Sequence, residues 1–597
     1  MSSTNYNLNA LIEKDGKEAK KPSNWSGLIK LINLLPEKRG LLIWALLSIM
    51  VYSILTMIAP IIIGNTIDKY IANKKFNGVL INCGWLLLVY AGVLVSVYLR
   101  TTLMGTFGQN LLFTLRNTLF NKLQELPNAF FAQNKAGDLI SRVNNDTDKI
   151  NQFFSQSLMQ FVSSVFIIIG AGIFVLILNW RLGLATLSPA LIMWIYTKIL
   201  TPWVKRKNAA NLKSVGGMSA EIQESLDNFK VIIAFNRRDY FRQRFNKANT
   251  DNYATAVKAG LANNIFTPVY GLAASLGQLI VLTYGIYLII DGHFTTGFLI
   301  SFFAYVTNFY EPLRQMAALW ASFQVALASW DRISLILNLE SDLAAVDPPA
   351  ALSIADAPPA LMEFKQVSFS YPDGTEVLHN NSFRMEKGKT YALVGPTGGG
   401  KTTTASLIAR LYDPTAGKVL LNGKDLRSYP AAERARKIGF ILQEPFLFSG
   451  TIKDNILYGN EQYHTLTNEE LKAVIEKANL QTLLDRFDAG LETAVTSGGE
   501  GISLGQRQLI AFMRAVLRDP ELLILDEATA NIDTVTEKML EDILRKLPAS
   551  TTRVIIAHRL NTIENADEIF FVNAGTITRA GSLDQAVDML LHGKRVS

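Results

Sequence analysis

Long apolar runs recur through the first half of the chain, separated by polar segments of unequal length. Each run holds about 20 residues, the length that an α-helix needs to cross the hydrocarbon core of a bilayer. The runs cover residues 41–63, 79–99, 158–178, 182–200, 270–290 and 298–318. The pattern therefore predicts six membrane-spanning helices, and so a lipid bilayer as the surroundings of this half.

Lysine and arginine are distributed unevenly between these runs. They are concentrated before the first run and in two long loops, at about 105–156 and 203–260, whereas the connections around 179–181 and 291–293 are short. Positively charged loops stay on the cytoplasmic side of a membrane. Both termini and both long loops are therefore predicted to be cytoplasmic, in a multi-pass protein of the cell membrane.

The long loops also show a helical pattern of apolar residues, for example at Leu111, Leu115, Leu119 and Leu123, so the spans are expected to continue as helices into the cytosol. Ahead of the first run, an apolar face predicts a helix lying in the membrane interface. That face is formed by Trp25, Leu28, Ile29, Ile32 and Leu35.

Composition supports a chain with both lipid-embedded and water-soluble parts. Hydrophobic residues make up 49% and charged residues 18%, and the mean hydropathy is +0.18. The net charge of +7 follows from membrane topology and is not taken as evidence for nucleic-acid binding. The single cysteine, Cys83, excludes an intrachain disulfide and a cysteine-ligated zinc site, and its apolar neighbours predict a buried thiol.

The pattern changes after residue 340. Residues 341–359 are rich in alanine, proline and aspartate, as in an interdomain linker. Beyond them, short β-branched and aromatic runs alternate with helical patterns, which predicts an α/β domain. The expected organisation is an N-terminal segment with the interfacial helix (1–40), an all-α six-helix transmembrane domain (41–340), the linker, and an α/β domain (360–597).

The α/β domain contains a complete phosphate-loop motif, GxxxxGK[ST], between a strand-like run and a helical pattern. In such a loop, backbone N–H groups and a helix N-terminus surround phosphate oxygens. Lys401 can reach the terminal phosphates, and the hydroxyl of Thr402 can bind Mg²⁺. The loop consists of Gly395, Pro396, Thr397, Gly398, Gly399, Gly400, Lys401 and Thr402.

A second acidic motif lies about 125 residues further on. The apolar run 522–525 is followed directly by Asp526 and Glu527. A buried strand would bring Asp526 to the metal and Glu527 to the terminal phosphate, where a carboxylate can orient and deprotonate water.

Together these motifs give residues 360–590 a resemblance to the ATPase domain of ABC transporters, and the whole chain resembles the exporter half-transporters of that family. Residues 502–508 (ISLGQRQ) are similar to the family's LSGGQ signature, and 530–533 match its D-loop. Gln443 matches the Q-loop, His558 the switch histidine, and Tyr371 the aromatic residue that stacks on adenine.

The resemblance implies ATP and Mg²⁺ as cofactors and assigns roles to individual residues. Glu527, His558, Gln443 and Lys401 are expected to act in hydrolysis, and Thr402, Gln443 and Asp526 to hold the metal. Tyr371, the phosphate loop, Thr403, Ser503, Gly505 and Gln506 are expected to contact nucleotide. In the membrane half, residues 137–142 and 224–235 resemble the two loops that couple such exporters to their ATPase domains.

The signature departs from the family pattern at two positions. Ile502 replaces leucine, and Leu504 replaces a glycine whose backbone approaches the ATP held by the other subunit. The lysine, the Asp–Glu pair and the switch histidine are all present. This combination resembles one partner of a heterodimeric bacterial exporter; a homodimer that tolerates Leu504 is the alternative.

The resemblance implies ATP-driven export of lipophilic small molecules by alternating access. The alternatives are a lipid or lipopeptide flippase on the same scaffold and an ATP-gated channel or sensor, which the intact Glu527 disfavours. In the sixth run, Glu311 and Arg314 interrupt apolar residues. They either neutralise each other or line a wet cavity that selects cationic substrates.

Overall fold

A computed structural model describes residues 6–8, 10, 24–340, 360–499, 501–526, 534–556, 564–580 and 583–592. The chain forms two compact units. The membrane unit comprises Ala19–Asn121 and Gly137–Leu337, and the second unit comprises Met1–Glu18, Lys122–Ala136 and Asn338–Ser597.

Long helices dominate the first half of the chain, several of them far longer than a bilayer requires. The helices α1–α12 are Asn24–Asn33, Arg39–Thr66, Phe76–Glu125, Asn128–Gln133, Ala136–Ser141, Thr147–Gln152, Leu158–Leu178, Trp180–Asp227, Phe229–Ala234, Arg238–Asn264, Phe266–Ile290 and Thr296–Leu337. Short π-helical turns at Ile67–Ile71, Arg142–Asp146 and Phe153–Ser157 join some of them.

Among the described residues, five helices are long and apolar enough to cross a membrane. They correspond to the first five predicted spans. The sixth predicted span lies in α12, which has ample length at 42 residues, but Asn308, Glu311 and Arg314 lower its hydropathy. The predicted fold class, a helical transmembrane domain followed by an α/β ATPase domain, is confirmed.

The prediction for Cys83 is wrong, because this thiol is exposed. It lies on α3, whose most apolar stretch buries no residues within the chain. An apolar neighbourhood in a membrane helix indicates contact with lipid or another subunit as readily as burial, which explains the error. In contrast, Leu111, Leu115, Leu119 and Leu123, further along α3, are buried as their helical spacing predicts.

Helices α2 and α12 approach each other closely at the outer end predicted for the spans. A Cβ atom at Gly297 would lie 2.1 Å from the carbonyl oxygen of Gly64, so both positions require glycine. Asp68 accepts hydrogen bonds from the Gly297 amide (2.7 Å) and the Thr295 hydroxyl (2.5 Å), which satisfies the start of α12. The two glycines and the hydrogen bonds of Asp68 thus hold α2 and α12 in close contact.

An ion-pair network joins the segment before the third predicted span to the C-terminal part of α12. Arg142 is 1% exposed and binds Asp138 (2.9 Å) and the carbonyl oxygen of Arg332 (2.7 Å). Arg332 in turn pairs with Asp138 (2.9 Å) and the buried Asp146 (3.2 Å). Because each buried charge here has an opposite partner, the network holds these helices in one register.

Two sheets form the framework of the second unit. The strands β1–β12 are Met362–Ser370, Glu376–Met385, Thr390–Val394, Ala416–Leu421, Lys424–Asp425, Ile438–Ile441, Gly450–Thr451, Ala494–Val495, Leu522–Asp526, Thr552–Ile556, Glu568–Asn573 and Thr576–Ala580. The main sheet has the order β12-β11-β3-β10-β9-β6, and a four-stranded sheet has the order β2-β1-β4-β5. In the main sheet, β6, β9, β10, β3 and β11 are parallel, so their carboxyl ends share one edge.

Helices cover the main sheet, as its buried strands require. The helices α13–α20 are Lys401–Ile408, Ala431–Lys437, Ile452–Ile456, Asn468–Lys477, Gln481–Leu484, Leu504–Val516, Thr534–Lys546 and Leu583–His592. One apolar core lies around β3, β9 and β10 together with the antiparallel sheet. A second core packs α15–α18 against the other side of β9.

The N-terminal residues Tyr6–Leu8 belong to this second unit and contact residues 128–134. Tyr6 is fully buried, and its ring packs edge-on against Phe130 at 6.4 Å. Asn134 accepts a hydrogen bond from the Leu8 amide (3.1 Å) and donates one to the Tyr6 carbonyl oxygen (2.9 Å). The Tyr6 hydroxyl donates to the carbonyl oxygen of Glu340 (3.1 Å).

Candidate functional site

The phosphate-loop motif connects the buried strand β3 to helix α13. Gly395 and Gly400 have φ angles of 146° and 112°, a region that strongly favours glycine. A Cβ atom at Gly395 would also lie 2.0 Å from the carbonyl oxygen of Val572. The glycines therefore give the loop a tight path, with the N-terminus of α13 at its end.

Lys401 is the first residue of α13, and its side chain folds back over the loop. It is 5% exposed, and its Nζ donates hydrogen bonds to the carbonyl oxygens of Gly395 (2.8 Å) and Pro396 (3.0 Å). The ammonium group therefore lies inside the loop, where phosphate oxygens can take the place of these carbonyls. The next residue, Thr402, is exposed, so its hydroxyl remains accessible to a ligand.

Tyr371 lies beside the same helix. Its hydroxyl is 3.1 Å from Oγ1 of Thr403, and its ring makes edge-on contacts with Phe369 (4.9 Å) and Tyr412 (5.4 Å). Burial raises the pKa of Tyr412, and the neighbouring Tyr371 adds to the effect. The contacts hold a half-buried aromatic face next to the phosphate loop, where a base can stack.

Asp526 ends strand β9 and is 2% exposed. In the sheet, Asp526 pairs with Ile556 of β10, and Ile556 also pairs with Leu393 of β3. The carboxylate therefore lies two strands from the start of the phosphate loop, at the same sheet edge. Glu527, the segment 530–533 and His558 lie outside the described residues.

Gln443 follows the end of β6, which is the neighbour of β9 on its other side. Its side chain is exposed. The structure thus brings the phosphate loop, Asp526 and Gln443 to one edge of the sheet, the place where open α/β sheets bind ligands.

The signature segment lies at the start of α18. Ser503 caps this helix: its Oγ accepts from the Gln506 amide (3.1 Å), and Oε1 of Gln506 accepts from the Ser503 amide (3.1 Å). Leu504 is the first residue of the helix and is half-buried, and Gly505 follows it.

Arg514, which the motifs did not single out, links α18 to the segment after Gln443. It donates hydrogen bonds to the carbonyl oxygens of Asn455 (2.8 Å) and Phe446 (3.1 Å), and its guanidinium lies 5.5 Å from the Tyr458 ring centroid. Burial lowers the pKa of this guanidinium.

The motifs also do not single out the reciprocal Ser503–Gln506 cap, although its Ser-x-x-Gln spacing could have revealed it.

The expected Mg²⁺ site contains few protein ligands. No group of three or more histidine, cysteine, aspartate or glutamate side chains that could hold a metal occurs in the described part of the chain. The expected ligands are instead a hydroxyl, an amide and a single carboxylate, from Thr402, Gln443 and Asp526. Such a set suits Mg²⁺, which keeps several waters and takes further oxygens from substrate phosphates.

Comparisons with known proteins agree with this arrangement. Residues 42–313 match the family model of the ABC transporter transmembrane region, and residues 378–530 match that of the ABC transporter. The chain is 34% identical to the uncharacterized ABC transporter ATP-binding protein YfiC of Bacillus subtilis over 96% of this chain and 94% of the relative.

Two further relatives carry names that specify a cargo. A fatty acid ABC transporter ATP-binding/permease protein of Mycobacterium bovis is 31% identical over 83% of this chain and 77% of its own length. A multidrug resistance ABC transporter ATP-binding and permease protein of Lactococcus lactis is 31% identical over 84% of this chain and 83% of its own length.

Proposed function

Because this chain belongs to the ABC transporter family and couples ATP hydrolysis to transport across a membrane, we propose that it exports lipophilic small molecules by alternating access. The observation that supports this proposal most is that the phosphate loop, Lys401, Asp526 and Gln443 lie at one sheet edge of a chain that also carries five apolar spanning helices. The L. lactis relative named for multidrug resistance supports the lipophilic cargo.

In the proposed site, Tyr371 stacks on adenine and the phosphate loop with Thr403 binds the phosphates. Thr402, Asp526 and Gln443 would hold Mg²⁺, which would neutralise charge on the phosphates. Glu527 is proposed to accept the proton of the attacking water, and His558 and Gln443 to orient the reacting groups. The signature residues Ser503, Gly505 and Gln506 are proposed to contact the nucleotide of a second ATPase domain.

A second half-transporter subunit is part of the proposal. Residues 224–235, which resemble the second coupling loop, expose large apolar side chains, with Leu226 at 67%, Phe229 at 55% and Phe235 at 74%. A soluble surface rarely exposes such a cluster unless a partner covers it. We place this loop, both termini and the ATPase domain in the cytoplasm, with the domain bounds at residues 40, 340 and 359.

The test is vectorial transport by the purified, reconstituted transporter. Inside-out vesicles should accumulate a lipophilic dye only when ATP is supplied, and the same dye should stimulate hydrolysis. Lys401→Ala should abolish both activities, whereas Lys424→Ala, at a lysine on β5 outside the sheet edge, should leave them unchanged. ATP hydrolysis that no lipophilic compound stimulates, together with no ATP-dependent accumulation, would contradict export.

A flippase on the same scaffold is the second candidate, favoured by the fatty-acid transporter among the relatives. A fluorescent phospholipid and the dye, assayed in the same vesicles, separate the two functions. Movement of the phospholipid without dye accumulation would favour the flippase.

A further inference from the structure

An arginine lies buried among the membrane-spanning helices, and no acidic side chain of the described residues pairs with it. Arg100 on α3 is 9% exposed. Its guanidinium lies 4.0 Å from the centroid of the Tyr52 ring on α2, and its Nη1 donates a hydrogen bond to Oγ of Ser163 on α7 (3.2 Å). Three predicted spans therefore enclose one positive charge.

The surroundings of Arg100 leave hydrogen-bonding capacity unused. Its Nε is buried and has no hydrogen-bond acceptor among the described residues, and the neighbouring Ser164 has a buried hydroxyl that is likewise unmatched there. Ser96, one turn earlier on α3, is a further buried hydroxyl residue. The guanidinium thus keeps an unmatched donor at a place where unsatisfied polar groups are costly.

The carboxylates of the spanning helices do not neutralise this charge. Asp68 accepts hydrogen bonds from Thr295 and Gly297, and Glu311 pairs with Arg314 at 2.5 Å. A cation–π contact and one hydroxyl offset only part of the desolvation of a guanidinium. The missing interaction is a negatively charged oxygen acceptor, for which a guanidinium offers a planar set of donors.

The position of the site selects the kind of anion. With the predicted orientation, Tyr52 lies about 16 Å along α2 from residue 41, and Ser163 about 7 Å along α7 from residue 158, at the helical rise of about 1.5 Å per residue. Arg100 itself directly follows the second apolar run, 79–99, at its predicted inner end. Its guanidinium therefore lies between the inner interface and the middle of a hydrocarbon core about 30 Å thick. A ligand reaching it from the inner leaflet must bring an apolar body as well as its negative head.

We infer that Arg100, with Ser163, forms a binding site for the anionic head of an amphiphile, a carboxylate or a phosphate whose hydrocarbon tail lies among the spanning helices. This inference rests on the proposed export function, because it names a substrate class for it. The negative oxygens accept hydrogen bonds from Nε and the other N–H groups of the guanidinium. The acidic head group can come from a free fatty acid or from an anionic phospholipid.

The test measures equilibrium binding of radiolabelled oleate to the purified transporter, with its partner subunit if it has one, in nanodiscs of phosphatidylcholine and without ATP. Wild-type protein should bind oleate saturably and methyl oleate at least about tenfold more weakly, since the ester lacks the charge-assisted hydrogen bonds. Arg100→Gln, which keeps a donor for Ser163, should weaken oleate binding by about tenfold or more and leave methyl oleate binding unchanged.

Matched variants make the result specific. Arg181→Gln removes another arginine that lies over an aromatic ring, 5.4 Å from the centroid of Trp180. Arg181 is exposed at the start of α8, so this variant should not change oleate binding. Arg100→Lys keeps the charge without the planar donors and should give an intermediate affinity. Arg100→Lys also provides the test of the site if Arg100→Gln does not fold.

Nanodiscs containing phosphatidylglycerol identify the source of the anion. Displacement of oleate by this lipid would assign the site to phospholipid head groups, and its absence would assign the site to free carboxylates. Oleate affinity within about threefold of wild type in Arg100→Gln, or equal affinity of wild type for oleate and methyl oleate, would overturn the site. Because the assay uses no ATP, failure of ATP-driven dye transport with intact oleate binding would reject export and leave the site standing.

Discussion

The residue after strand β9 carries the chemical step of the proposed mechanism. We expect Glu527→Gln to abolish steady-state ATP hydrolysis while ATP binding stays intact, because the amide cannot accept the proton of the attacking water. Loss of a general base costs about 10²-fold or more in rate. Hydrolysis and nucleotide binding by the purified transporter check this prediction.

A glutamate just before the same strand provides the control. Glu521 pairs with Lys437 at 2.5 Å and accepts from Asn422 at 2.9 Å. Burial raises the pKa of Glu521, but the hydrogen bonds from Lys437 and Asn422 outweigh it, so the pKa is lowered overall. Glu521→Gln should leave hydrolysis nearly unchanged. Turnover by Glu527→Gln within about tenfold of wild type would remove Glu527 from the catalytic role.

Glu311, in a predicted membrane-spanning helix, can neutralise a neighbouring arginine or help select cationic substrates. The structure joins Glu311 to Arg314 at 2.5 Å and to Gln315 at 3.2 Å, so the predicted neutralising pair is present. Glu311 nevertheless remains half-exposed within the chain. If it also selects cationic cargo, Glu311→Gln should weaken transport of cationic dyes more than that of neutral ones.

Parallel transport assays with one cationic and one neutral dye test this prediction. Gln160→Leu, at a residue that hydrogen-bonds Gln315 at 2.9 Å, removes a polar group nearby without removing a charge and should affect both dyes alike. Equal losses of both dyes in Glu311→Gln would reject a role in charge selection.

At the scale of elements, three helices in the described part of the ATPase domain begin with the same reciprocal cap. The caps are Thr451 with Asp454, Thr467 with Glu470, and Ser503 with Gln506. Such a cap contributes about 1 kcal/mol to stability. Ser503→Ala and Thr467→Ala should therefore lower thermal stability by similar amounts.

The two caps should differ in their effect on hydrolysis. Ser503 precedes the signature helix α18, whereas Thr467 precedes α16, to which the sequence analysis assigns no nucleotide-binding motif. We expect Ser503→Ala to reduce ATP hydrolysis strongly and Thr467→Ala to leave it near wild type, as measured at saturating ATP. Equal rates in the two variants would show that Ser503 acts only as a helix cap.

The elements also show what the sequence could and could not predict. Apolar runs located the first five spans and the buried leucines of α3, because hydrophobic periodicity records which face avoids water. The π-helical turn Arg142–Asp146 escaped prediction, since its register depends on the ion pairs with Asp138 and Arg332. Similarly, the phosphate loop was recognisable from its glycines, whereas Arg514 acts through carbonyl oxygens that leave no mark in the sequence.

At the scale of the whole molecule, Leu504 decides between two kinds of dimer. If the partner is a different subunit, the phosphate loop and Glu527 of this chain form the complete site with the partner's signature. Lys401→Ala should then abolish turnover, whereas the matching lysine change in the partner should reduce it only in part. The resemblance to heterodimeric exporters implies that the second site combines an altered signature with a partner that lacks the catalytic glutamate. Leu504→Gly should therefore change activity only modestly.

Expression of this chain alone gives the decisive comparison. Leu504 starts α18 and is half-buried. Its substitution by glycine therefore alters the start of the helix as well as the approach of the signature backbone to the nucleotide. Thermal stability of Leu504→Gly is measured as a control. A stable homodimer that hydrolyses ATP at normal rates with drug stimulation would overturn the heterodimer and make Leu504 a tolerated variant.

The exposed thiol of Cys83 offers a spectroscopic answer to the same question. It is the one cysteine of the chain and lies on the outward surface of α3, so a nitroxide label can be attached without any mutation. Paired with a cysteine-free subunit, each transporter carries one spin, and its dipolar signal decays without modulation. Two copies of this chain carry two spins, and the frequency of the resulting echo modulation would report the distance between their α3 helices as the transporter turns over.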